Sequence, residues 1–193
     1  MARKAKAKRP VLNDVIVYFA FEIPNLSEAK LNKIIFLADL YHYANRGHRI
    51  TSVPFRNYLH GPWSSIIAQT AQESDGRDIR IEIVHSQRKG DMMIIRPNVP
   101  QTTIDLPKEA IHTVKEVAHQ WGQLSLTEVI EFAKRTPLFV STPFGEVIDF
   151  ERVPPSPDLL KTCSATAAKR ISESLRQHNP LILKALQAWP AHA

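Results

Sequence analysis

The 193-residue chain holds a single cysteine, Cys163. No disulfide can close within it, and no four-thiolate zinc site can be built from it. That suits a reducing cytoplasm better than secretion. Long apolar runs are also missing. The longest, residues 15–21, is seven residues, against the roughly 20 that a spanning helix needs. The basic N-terminus is not read as a signal peptide, because Asn13 and Asp14 break the apolar stretch and no small-residue cleavage site follows.

The common catalytic frameworks are missing as well. The chain has no G-x-x-x-x-G-K-[ST] loop to cradle phosphates and no G-x-G-x-x-G after a strand. It has no G-x-S-x-G elbow and no H-E-x-x-H zinc pair. His112 and His119 share a helical face but lie about two turns, roughly 10 Å, apart. His42 and His60 are the pair that folding could bring together; the plainer reading of each is a satisfied, partly buried histidine. Asp39, on a mostly apolar helix, reads as a structural anchor, since a buried carboxylate needs a partner. Lys33, His42 and Arg49 are its candidates. Cys163 reads as a packing residue. No catalytic residue, metal or cofactor is expected.

What is present describes an ordinary globular chain. Hydrophobic residues make up 44% and charged residues 23%, which excludes collagen, coiled coil and disorder throughout. The net charge of +6 is concentrated in Arg3, Lys4, Lys6, Lys8 and Arg9. Residues 10–193 carry 20 basic against 19 acidic side chains. The basicity is therefore a tail, read as disordered over residues 1–10, that can touch nucleic acid or another acidic partner.

Apolar spacing predicts helices over residues 11–22 and 28–46, the second apolar on most sides and therefore central, with Ser27 as its cap and Gly47 as its stop. Asn25 and Leu26 read as a turn. Ile50, Val53, Phe55 and Tyr58 are strand-like. His60-Gly61-Pro62 is a sharp turn from which Pro62 opens a helix over about 62–74. Ile79, Ile81 and Ile83 alternate with charge and begin a hairpin that turns at residues 88–91 and returns through 92–96. Helices follow over 107–121 and, from the Ser125-x-x-Glu128 capping box, over about 126–135. Pro154, Pro155 and Pro157 mark a linker, and residues 153–193 form an appendage with an amphipathic helix. The expected fold is mainly α with a small antiparallel β-sheet (α+β), winged-helix-like in element order through its first half.

That order invites a DNA-binding reading, but the helix at 62–74 has no lysine or arginine. Residues 47–96 carry seven basic and five acidic side chains, a weak balance for a nucleic-acid surface. A sequence-specific transcription regulator is thus the alternative, with Gln69 or Gln72 as base readers. Protein binding is the preferred reading. Trp63, Trp121 and Trp189 are large anchors if exposed, though each alone is more readily core. Partner-binding candidates are Gly61, Pro62 and Trp63 at the turn, Arg88 and Lys89 on the hairpin, and Leu160, Ile171 and Leu175 on the last helix.

Leu31-x-Lys33-Ile34-Ile35, Ala38-Asp39, His42, Gly47, Phe55 and Gly61-Pro62 together resemble the opening of the Panacea domain of the SocA-like antitoxins. Trp121, Leu124-Ser125-x-x-Glu128, Thr136-Pro137 and Ile148-Asp149 continue the resemblance, which spans roughly residues 11–152. Two departures stand out: Trp63-Ser64 replace small apolar residues, and Leu138-Phe139 replace a tryptophan. The resemblance implies a cytoplasmic, often phage-associated antitoxin that binds and neutralises a small protein toxin. In the SocA-like branch it also acts as an adaptor that hands the toxin to an ATP-dependent protease. It implies no catalytic residue. Leu31, Lys33, Ile34, Ile35, Ala38, Asp39 and His42 enter it as core and motif positions.

Overall fold

A computed structural model describes residues 11–86, 90–152 and 154–156. Helix α1 (Val11–Glu22) and helix α2 (Glu28–Arg46) lie at the centre. Both are buried on nearly every side: residues Leu12 to Ala20 of α1, and Leu31 to Ala44 of α2 apart from Tyr41, meet almost no solvent. The local signals act as expected. The Ser27 side chain accepts from the Lys30 amide, and Gly47 closes α2 with a φ of 77°, a conformation that glycine adopts without a Cβ penalty.

The segment between these helices is more than a turn. Leu26–Ser27 forms a two-residue strand, β1, with Leu26 opposite Ile95. After α2 comes a two-stranded ribbon, β2 (Arg56–Tyr58) and β3 (Gly61–Trp63). Helix α3 (Ser65–Ser74) leads to the hairpin β4 (Ile79–Ser86) and β5 (Gly90–Pro97), giving a three-stranded antiparallel sheet in the order β1-β5-β4. The order α-β-α-α-β-β with this sheet is the winged-helix-like sequence of elements, interrupted by the short ribbon. Helices α4 (Lys108–Trp121), α5 (Leu126–Ala133) and α6 (Pro137–Val140) complete the mainly helical body.

Three expectations are corrected. Residues 48–55 are irregular, and only Arg56–Tyr58 is strand. Pro62 does not open a helix; it sits in β3 opposite Asn57, and the helix starts at Ser65. The ring is tolerated there because Asn57 turns its amide and carbonyl the other way, toward Glu146 and Gly145 (2.9 and 2.7 Å). The missing proline N–H therefore breaks no ribbon hydrogen bond. The helix expected to about residue 135 ends at Ala133, and Thr136-Pro137 instead starts α6, with the proline in its first turn.

One continuous core joins the pieces. Trp121 of α4 is buried against Tyr41 and Phe132 (ring centres 6.4 and 5.4 Å apart). Phe36 of α2 packs edge-on against Phe55 and Phe150 (5.3 and 5.8 Å). Lys30 spans the α4–α5 connection, donating to the carbonyls of Gly122 and Leu124 (2.5 and 2.7 Å). The capping box forms, with Ser125 accepting from the Glu128 amide and the Glu128 carboxylate accepting from the Ser125 amide.

Asp39 is an anchor, though not to all the expected partners. Its carboxylate accepts from the Thr51 amide (2.8 Å) and hydroxyl (2.5 Å), with Arg49 at 4.0 Å. His42 instead meets Thr113 (2.8 Å) and His48 (3.3 Å), and Lys33 approaches Gly61. Full burial pushes the Asp39 carboxyl up to about 7, against the pull of Thr51 and Arg49. The folded state then holds this proton more tightly than the unfolded chain. Its contribution is complete below about pH 4 and is lost as pH rises toward 7. Asp39→Asn is expected to flatten that decline, measured as urea-unfolding free energies between pH 4 and 8.

Candidate functional site: an apolar shelf beside a buried lysine

The ribbon and the segment after α6 build the most distinctive surface. Asn57 is the fastener. Its side chain donates to the carbonyls of Thr142 (2.6 Å) and Phe139 (3.3 Å), while its backbone pairs with Gly145 and Glu146. Arg56 adds a hydrogen bond to the Gly145 carbonyl and a bridge to Val147. Residues 139–147 are thereby laid along β2.

This brings aromatic rings together that lie far apart in sequence. Tyr58 stands between Trp63 (5.7 Å) and Phe144 (6.1 Å), edge-on to both. Phe144 and Val140 are each 70% exposed, Leu59 is 56% exposed and Val147 43%. Trp63 is half-buried. Scattered apolar residues are normal on a protein surface, but three rings in edge-on contact with an exposed member make this surface the candidate interaction site. Nothing in local periodicity pointed to Phe144 or Val140. The available signal was an aromatic inside a Pro-Phe-Gly turn, where no helix or strand face could bury it.

The stems of two lysines and Ile130 lie under the turn. Gly61, with φ of 87°, lies over α2 and α5: a Cβ there would stand 3.8 Å from Lys33 Cε and 3.6 Å from Lys134 Cγ. His60 precedes it. Burial, followed by the charges of Lys33 and Lys134, pulls the His60 imidazole below its usual range. Burial also draws the Lys33 amine down to about 8, with Glu28 acting against the shift.

The other expected site residues fall elsewhere. Ile34, Ile35, Ala38 and Leu31 are core, and Trp121 is core rather than an interface anchor. His42 and His60 keep separate neighbours, while His112 and His119 lie exposed on α4. Among the described residues no group of three or more histidine, cysteine, aspartate or glutamate side chains is placed to hold a metal ion. Arg88, Lys89, Leu160, Ile171 and Leu175, with Cys163 and Trp189, lie outside the described residues.

A family model, antitoxin SocA-like, Panacea domain, matches residues 31–138. The chain belongs to this family. No curated protein and no solved structure matches it. The Panacea match runs from α2 into α6 and contains Lys33, the whole ribbon and α5; Val140 and Phe144 follow directly after it. Membership supports an antitoxin role, a toxin as partner and a non-enzymatic mode of action. No helix of the described residues is long and apolar enough to cross a membrane.

Proposed function

We propose that this Panacea protein is a cytoplasmic antitoxin that neutralises a small protein toxin by covering it, with the shelf of Tyr58, Leu59, Trp63, Val140 and Phe144 as the contact surface. The observation that carries the reading is the edge-on contact of Tyr58 with Trp63 and with the largely exposed Phe144, on a chain of an antitoxin family. Occlusion needs no chemistry, only shape and an interface of about 1,600 Å² in total. Gly61, Pro62 and Trp63 belong to this surface; Arg88, Lys89, Leu160, Ile171 and Leu175 extend it in the same proposal. Delivery of the captured toxin to an ATP-dependent protease is compatible with the same contact. In domain terms, residues 11–152 are the binding unit, residues 1–10 a basic tail and residues 153–193 an appendage.

The winged-helix-like order keeps DNA regulation as the second reading. The charges around that unit speak against it. Arg77 is engaged by Asp78, Arg80 and Arg96 by Glu82, and Arg49 by the Val53 carbonyl. Gln69 of α3 is held by Glu73 (2.9 Å). Cations already paired have little left for phosphates.

The test is co-expression with the small open reading frame beside this gene. The frame alone is expected to arrest growth, and this protein to relieve the arrest and co-purify with its product. No arrest, or arrest that it does not relieve, refutes the proposal. Steeply salt-dependent DNA binding that survives removal of the first nine residues would then establish the second reading. Faster toxin turnover in the presence of the protein, rather than inhibition alone, would mark the adaptor role.

A further inference from the structure

Lys30 and Lys33 lie less than one turn apart on α2 and meet different fates. Lys30 is satisfied by two carbonyls. Lys33 is only 3% exposed, yet its ammonium makes no hydrogen bond or ion pair among the described residues. Its stem is buried and its tip reaches the surface, so the ammonium is left partly hydrated and without a protein partner to replace the lost water. A partly desolvated charge without a partner costs stability. Leucine or methionine at this position would fill the same space without that cost.

The surroundings say what would satisfy it. The Lys33 side chain lies against the Gly61 turn at its Cε, the Lys134 stem and Ile130 pack against the same glycine, and His60 is within reach of both lysine charges. Glu28, on the same helix, is the one acidic side chain acting on it, and it also accepts from Asn32 (3.5 Å). The shelf rings Tyr58 and Trp63 belong to the same short ribbon as Gly61. An anion presented beside an apolar side chain would meet the cation and the shelf together.

We propose that Lys33, seated beneath the Gly61 turn with Lys134 beside it, receives a carboxylate carried on an apolar segment of the toxin. The proposal rests on the antitoxin reading above and names the chemistry of the surface that this reading requires. Charge complementarity selects the occupant: two lysines converge on one glycine, so the segment docking there is acidic where it meets the turn and apolar where it meets the rings. Lys33 therefore supplies specificity, since a partner without the carboxylate would seal an unpaired cation into the interface.

The deciding experiment compares the full chain with Lys33→Met, by calorimetric titration against the co-purified toxin and by thermal melting. Lys33→Met is expected to melt at the same or a higher temperature and to bind about 30-fold or more weakly. Binding equal to wild type overturns the carboxylate contact while leaving the antitoxin reading intact. A purely structural lysine would give a lower melting temperature with affinity preserved in the folded fraction, which also overturns it. A second measurement needs neither the variant nor a toxin. The Nζ resonance of Lys33 in nitrogen-labelled wild-type protein is followed while acetyl-Leu-Asp-Phe-amide is added at millimolar concentration, with acetyl-Leu-Asn-Phe-amide as control. A shift with the aspartyl peptide alone supports the contact, and no shift overturns it, even if co-expression has refuted the antitoxin role.

Discussion

Alanine at both Tyr58 and Phe144 is expected to abolish toxin neutralisation while leaving the fold in place. The two rings touch each other at 6.1 Å, and Phe144 is 70% exposed. Their removal therefore withdraws contact area from the surface without opening the core. Substitutions at such positions usually change stability by no more than about 0.5 kcal/mol. Aromatic anchors at an interface are a different matter: each costs about 2 kcal/mol or more when truncated, so the pair is expected to weaken binding by 100-fold or more. Calorimetric affinity together with a thermal melt separates the two effects. Unchanged affinity in a folded double variant would remove the shelf from the proposed mechanism.

Phe36→Ala is expected to have the opposite character, a large loss of stability with no direct effect on the surface. Phe36 is completely buried and contacts Phe55, which precedes the ribbon, and Phe150, which follows the shelf. Emptying that volume costs about 3–5 kcal/mol through lost transfer energy and the cavity left behind. A domain of this size commands only about 5–15 kcal/mol in total. The variant is expected to unfold at clearly lower urea concentration and to accumulate poorly in cells. Phe36→Leu, which keeps most of the volume, is expected to recover most of the difference. Equal midpoints for Phe36→Ala and wild type would show that the ring is not the keystone its contacts indicate.

The two variants separate what could be read along the chain from what could not. The core positions of α2 were legible because every face of residues 31–44 is apolar or small, save a few polar side chains such as Asn32, Lys33, Asp39 and His42. Of these, Asp39 is the one whose need for a partner the sequence makes plain. Their partners were not legible, because Asn32 bonds the Ser64 amide and His42 bonds Thr113, 32 and 71 residues away. Asp39 was the partial success: Arg49 was among its candidates, but Thr51, the closer partner, was not.

The shelf shows the same division. Trp63 and the Gly61-Pro62 turn were singled out on residue type alone. Phe144 and Val140 are not, since some 80 residues separate them from the ribbon and the segment is brought there by the long-range hydrogen bonds of Asn57 and Arg56. Pro62 misled for a related reason. Proline suits the first turn of a helix locally, and only the outward-facing amide of Asn57 makes a ribbon strand acceptable there.

The sequence by itself determined the main helices, the caps at Ser27, Gly47 and Ser125, the hairpin, the near-neutral body with its basic tail, and the family. These rest on interactions within a few residues, whose free energies local spacing encodes. Tertiary structure alone decided that Leu26 is a strand against Ile95, that Tyr58, Trp63 and Phe144 form one surface, and that Lys30 bonds two carbonyls while Lys33 has no hydrogen-bond partner among the described residues. Each depends on which distant segment arrives beside a given side chain. That choice is made by burying the faces of α1 and α2, not by the residues near the site.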